Sequence, residues 1–233
     1  QAEDGIRDVE RSRGLGDVYK RQTYLERDLR QLSQIESLPD FRRLMGAIAI
    51  RCGKILNQTE VSRDTGIPQP TAHRYLNLLE TSFMIERIPP YFVNRTKRLI
   101  KSPKLLFLDS GLASFLSGYF TPDSLFSSRE AGGIFETVVF MHLKALSQLI
   151  TPRPMIFHWR TVTGKEVDFV LSWGNKLIAV EAKLTEKPKY GDISNLRLFM
   201  EEYPETSAGI LVHMGNEIKM MDKRIVAIPW WQL

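Results

Sequence analysis

Cysteine is almost absent. Cys52 is the only one in 233 residues, which excludes an internal disulfide and any thiolate cage for a metal. The four histidines, His73, His142, His158 and His213, are scattered without HExxH or Cys/His spacing, so no zinc site is expected. No apolar run approaches the roughly 18 residues of a membrane span and no secretory leader is seen, which leads to the expectation of a soluble, cytoplasmic chain with no membrane partner. No GxxxxGK occurs either, so no P-loop ATP site is expected within these residues. The metal chemistry left open is that of a hard cation held by carboxylates. Charge of one sign is not in large excess: the net charge is +5 with a pI near 9.3, which permits an anionic partner such as DNA without demanding one.

What is there begins with an oddity. Residues 1–22, QAEDGIRDVERSRGLGDVYKRQ, back-translate to stretches resembling sequencing-library adapters, so they are expected to be a disordered artefact and are set aside from fold reasoning. They carry five basic and five acidic residues, so the net charge survives their removal. A natural chain reaching upstream of Thr23 is the corollary expected.

From Thr23 to about residue 120 the periodicity is helical. Leu25, Leu29, Leu32 and Ile35 repeat on one face, as do Phe41, Leu44, Ile48 and Cys52. Asn57 can cap a short helix that Gly66 ends, and a second helix starts near Gln69 and Pro70, where proline suits the first turn. Leu76, Leu79 and Phe83 are expected inside, leaving Gln69, Thr71, His73, Arg74 and Asn77 outside. Two apolar runs, Met84 to Val93 and Leu105 to Leu108, then flank Arg95, Lys97, Arg98, Lys101 and Lys104, five positive charges in ten residues. This layout is that of a winged helix with a basic wing, in which the second helix reaches base edges and the wing holds phosphates. The same pattern also suits a solvated hairpin on a packing or protein-contact module. Residues 23–128 hold fourteen basic and ten acidic residues, a modest excess for a DNA reader.

After a polar linker over residues 121–133, IFETVVFMHLKALSQLI reads as an apolar helix with Glu136 near its start, where the helix dipole alone would favour an acid. Three strand-like runs follow, 156–161, 166–172 and 176–184, joined by tight turns. Alternation puts Asp168, Val170 and Ser172 on one face of the second run, and Glu181 with Lys183 on one face of the third. A hairpin would bring Asp168 to Glu181. Two close carboxylates invite a cation, Mg²⁺ or Mn²⁺, and Lys183 could orient water or stabilise charge on a phosphate. Solvated charges on a strand face would look the same.

Glu136, Asp168, twelve intervening residues and then Glu181-Ala182-Lys183 resemble the PD-(D/E)xK nuclease superfamily, with Val167 where the name has proline. The resemblance implies Glu136, Asp168, Glu181 and Lys183 as catalytic residues, the three acids as metal ligands. The ordered motifs YLERDL, IPQPTAHRYLNLLE, KSPKLLFLDSGLASFL, GGIFETVVF, HWR, EVDFVL and IAVEAKL are similar to the C-terminal region (domain of unknown function 4143) that follows an AAA-type ATPase domain in many bacterial and archaeal proteins. The fold class expected is α+β or α/β: a winged helix-turn-helix over residues 23–120, then a restriction-endonuclease-like domain over 134–233. The function expected is a DNA-binding, Mg²⁺-dependent phosphodiesterase module on an upstream ATPase of the same natural chain. Its alternative is a non-catalytic DNA- or protein-binding attachment. Nothing in the sequence speaks to oligomeric state.

Overall fold

The computed structural model describes residues 35–94 and 101–233. The expectations for residues 1–22, for most of the first helical repeat and for Arg95, Lys97 and Arg98 lie outside the described residues.

The fold is mixed α+β, as the patterning implied. Helix α1 (Leu38–Ala49) starts at Ser37, whose side chain accepts from the Asp40 amide, and buries Phe41, Leu44, Met45 and Ile48. Helix α2 (Gln58–Thr65) is capped by Asn57 through the Glu60 amide and ends at Gly66, which takes a left-handed φ of 67° that a Cβ would resist. Helix α3 (Gln69–Thr81) has proline in its first turn and buries Ala72, Tyr75, Leu76 and Leu79. Phe83 departs from expectation: it is 78% exposed. The helix stops at Thr81 and Phe83 adopts a φ of 56°, so the turn swings its ring outward instead of continuing the buried stripe.

Strands β1 (Ile85–Ile88) and β2 (Lys104–Phe107) pair antiparallel. The free edge of β2 is covered by the turn after α1: Leu105 exchanges hydrogen bonds of 2.8 and 3.0 Å with Gly53 and Lys54. Helices α4 (Ser110–Leu116) and α5 (Pro122–Phe126) follow, capped by Asp109 and Thr121. The segment expected to be a linker therefore contains α5 and the first turn of the next helix, α6 (Ala131–Gln148).

A six-stranded sheet forms the second unit, in the order β3-β4-β5-β6-β8-β7, from β3 (Met155–Arg160), β4 (Glu166–Trp173), β5 (Lys176–Lys183), β6 (Thr206–His213), β7 (Lys219–Asp222) and β8 (Ile225–Pro229). Strands β3 to β5 form an antiparallel meander, while β5, β6 and β8 run parallel. Helix α7 (Ser194–Glu202) crosses from β5 to β6 and packs Leu196 and Phe199 on one face of the sheet. On the other face α6 stacks Phe140 on Phe169 at 5.9 Å, and Ile88 and Leu106 of the hairpin join the same core.

The two units are sewn together. Pro89 to Tyr91, just after β1, lie along the edge strand β3: the Tyr91 amide donates to the His158 carbonyl at 2.6 Å and the His158 amide to the Pro89 carbonyl at 3.1 Å. Tyr91 then packs its ring among Phe157, Phe199 and Tyr203 at 5.7, 6.1 and 5.2 Å. An exposed sheet edge is thereby closed by the loop of the neighbouring hairpin.

Candidate active site

The site lies where β4 and β5 part. Phe169 pairs with Val180, but beyond it the Ala182 amide donates at 2.9 Å to Asp168 Oδ2, a side chain, in place of a backbone partner. A bulge explains how. Phe157 pairs with Val170 and Trp159 with Val167, so two steps on β3 face three on β4. Strict alternation is broken there, contrary to the expected Asp168, Val170 and Ser172 face. Val167 and Val170 join the core beneath α7, Phe169 joins the core beneath α6, and Asp168 is turned toward α6. On β5, Leu177 and Ala179 belong to the α7-side core and Val180 and Ala182 to the α6-side core, so alternation sets Glu181 and Lys183 in the α7-side row.

Lys104, from β2, enters this site. Its Nζ lies 2.7 Å from Glu136 Oε2, 2.8 Å from Asp168 Oδ1 and 3.1 Å from Glu166 Oε1, with the whole side chain at 0% exposure. The Phe169 ring lies 5.5 Å away. The contact with Glu136 is an ion pair without hydrogen-bond alignment, whereas those with Asp168 and Glu166 are aligned. Burial lowers the ammonium's proton affinity, yet Asp168, Glu136 and Glu166 together outweigh it and hold the pKa well above the usual lysine value. The expected phosphate contact by Lys104 is thus corrected: no surface of this side chain is available to DNA.

The other members of the expected quartet are close by. Lys183 Nζ lies 2.9 Å from Glu181 Oε1, with Lys183 partly exposed and Glu181 buried. Glu181 Oε2 is buried with no partner. Glu136 sits in the second turn of α6, beyond the reach of the first-turn dipole that might have accounted for it. Burial first, then repulsion from Asp168, pushes both Glu136 and Glu181 up to about 8, against the pull of Lys104 and Lys183 respectively. Arg160 adds an exposed cation on Glu166 at 3.2 Å. Four carboxylates therefore face three cations, and Glu181 Oε2 is the oxygen left over.

These residues bear differently on a divalent ion. Among the described residues no group of three or more His, Cys, Asp or Glu side chains is arranged to hold a metal ion. Asp168 and Glu181 feel each other's charge, and two carboxylates would be enough for Mg²⁺, which keeps several waters. The buried, unpartnered Glu181 oxygen is where such an ion would relieve an unmet charge.

Of the residues expected to meet DNA, Gln69, His73 and Arg74 are exposed on α3, and Thr71 and Asn77 are half-buried. His73 contacts Gln58 Oε1 at 3.0 Å and Asn77 at 3.1 Å, Gln69 donates to Thr59 at 3.2 Å, and Arg74 pairs with Glu36 at 2.8 Å. Lys101 is exposed. It lines a cleft of about 600 Å³ between the hairpin loop and β3, with Phe92, His158, Trp159 and Arg160. Sequence reasoning missed Glu166 and the true place of Lys104. The available signal was Glu166 two residues before Asp168 on one strand; Lys104 carried none, being one of five cations in a run.

Residues 18–123 match the family described as "Domain of unknown function (DUF8612)" and residues 131–233 the family described as "Domain of unknown function (DUF4143)". Uncharacterized proteins of Mycobacterium bovis and Mycobacterium tuberculosis are each 31% identical over 207 residues, covering 89% of this chain and 45% of theirs. The chain thus spans about half the length of the curated relatives it matches. A solved assembly of Thermococcus gammatolerans McrB AAA+ hexamers with bound McrC aligns over 80% of this chain and 46% of that one, at 12% identity and a TM-score of 0.33, too weak a likeness to establish a shared fold.

Proposed function

We propose that this chain is the DNA-docking, nuclease-like part of a longer protein with an ATPase domain upstream, and that its centre is a divalent-cation-dependent phosphodiesterase site. One observation carries the reading: the buried, unpartnered Glu181 Oε2 beside Lys183, in a centre whose four carboxylates face only three cations. Asp168 and Glu181 would hold Mg²⁺ or Mn²⁺, which when bound supplies Lewis-acid stabilisation of a phosphate oxygen. Lys183, partly exposed and tied to Glu181, is placed at the solvent side to orient water or to meet an anionic phosphate. Glu136 acts through Lys104 and Asp168 rather than as a direct ligand. The helical unit reads as a winged helix whose α3 presents Gln69, His73 and Arg74 to a groove, with Lys101 and the basic residues before it on phosphates.

The test is a Mg²⁺ and Mn²⁺ cleavage assay on the full-length protein with single- and double-stranded DNA. The expected result is metal-dependent cleavage that falls at least about a hundredfold in Glu181→Ala and Lys183→Ala, the size of a lost charge-stabilising group. Equal cleavage by wild type and both variants refutes these roles. A second reading is favoured by the burial of Lys104, which neutralises the acids from within: the centre is then a scaffold and the protein a DNA- or partner-binding attachment. Salt-sensitive DNA binding with neither cleavage nor metal binding would establish that alternative.

A further inference from the structure

Asp168 has two sides. Its Oδ1 faces Lys104 and Glu136, while its Oδ2 faces the backbone of Ala182, next to Glu181. On the first side the position that would suit a second metal is filled: three carboxylates converge within 3.1 Å on one ammonium, which donates to Asp168 and Glu166 and pairs by charge with Glu136. That ammonium is not a stray surface charge. Lys104 pairs with Ile88 across the hairpin and bridges to Ile55 on the other edge of β2, so its backbone is clamped on both sides. Its side chain is at 0% exposure, with the ammonium 5.5 Å from the centre of the Phe169 ring.

We propose that Lys104 is the resident second cation of this centre, so that the site takes a single divalent ion, on the Glu181 side of Asp168. The proposal rests on the divalent-cation reading above and adds to it a stoichiometry and a positioning role. Lys104 touches no substrate; it holds Asp168 and Glu136 at fixed spacing and makes the site conditional on the docked hairpin. The β1–β2 hairpin thereby belongs to the centre as much as β4 and β5 do.

The experiment counts Mn²⁺ on the full chain by calorimetry and by electron paramagnetic resonance of free Mn²⁺, with circular dichroism to establish folding. One ion is expected on wild type, with affinity at least about tenfold weaker in Glu181→Gln. Two ions are expected on Lys104→Met, the second lost again in Lys104→Met/Glu136→Gln. Two ions on wild type, or a folded Lys104→Met that still takes one, overturns the assignment of Lys104 while leaving the divalent reading in place. No ion on wild type overturns both. If Lys104→Met does not fold, the wild-type count decides between one ion, which supports the proposal, and two, which overturns it.

Discussion

Replacing Lys104 by methionine keeps the bulk of the side chain and deletes its charge, which isolates the electrostatic role. At contacts of 2.7, 2.8 and 3.1 Å the gross attraction is large. With an effective dielectric near 20, each pair is worth roughly 6 kcal/mol. Desolvation of the ammonium and the mutual repulsion of the acids offset most of that sum. What remains on deletion is the cost of leaving Glu136, Glu166 and Asp168 without their shared cation, about 3–5 kcal/mol. For a chain of this size that lowers the melting temperature by about 10 °C. The pH dependence carries the sign. Burial already raises the pKa of Glu136 and Lys104 pulls it down, so without Lys104 it rises further; the folded variant then binds more protons there than its unfolded chain and its stability falls as pH rises. The deficit relative to wild type should be greatest near pH 8 and shrink toward pH 5. The measurement is urea denaturation followed by circular dichroism at both pH values. A loss under about 1 kcal/mol, or one that does not change with pH, would refute the account of Lys104 as the counter-cation of the cluster.

His158 is buried, and burial first, then repulsion from Lys104, pushes its pKa down to about 3. The folded state therefore binds fewer protons than the unfolded one, so the contribution is complete above pH 6.5 and lost as pH falls toward 3; His158→Gln should flatten that acid limb in a series of denaturation midpoints. Tyr91→Ala removes the aromatic anchor of the hairpin loop from the core of the sheet and should cost about 3–5 kcal/mol, with amide exchange faster in both β3 and the loop; faster exchange in the loop alone would argue that the docking is not cooperative. Gly133→Ala would place a Cβ 2.1 Å from the Cys52 carbonyl oxygen, so it should destabilise by about 1–3 kcal/mol, where the same change in an exposed helix interior gains up to about 1 kcal/mol. Arg74→Ala should weaken DNA binding and reduce the slope of log affinity against log salt by about one; an unchanged slope would remove α3 from the interface.

Much of this was legible in the chain because it is local. The Asn57 cap, the Gly66 stop and the proline-led start of α3 depend on residues within a turn of one another, and each is found as read. The meander around Asp168 and Glu181 was legible for the same reason, since tight turns tie neighbouring strands into register. Phe83 was misread because a positive φ carries no mark in a phenylalanine. The phase of Asp168 was misread because a bulge is set by how two strands pair rather than by either strand alone.

By itself, then, the sequence determined the cap and stop of α2, the start of α3, the approximate spans of β3 to β5 and the presence of acids and a lysine at a suggestive spacing. The tertiary structure decided which charges meet. Lys104 reaches Glu166 and Asp168 across sequence separations of 62 and 64 residues, and it was one cation among five in a basic run. Only the docking of the hairpin against α6 and the sheet takes that one out of water. A lysine is almost never fully buried without partners, and partners that arrive from a distant helix and a distant strand leave no local pattern to read.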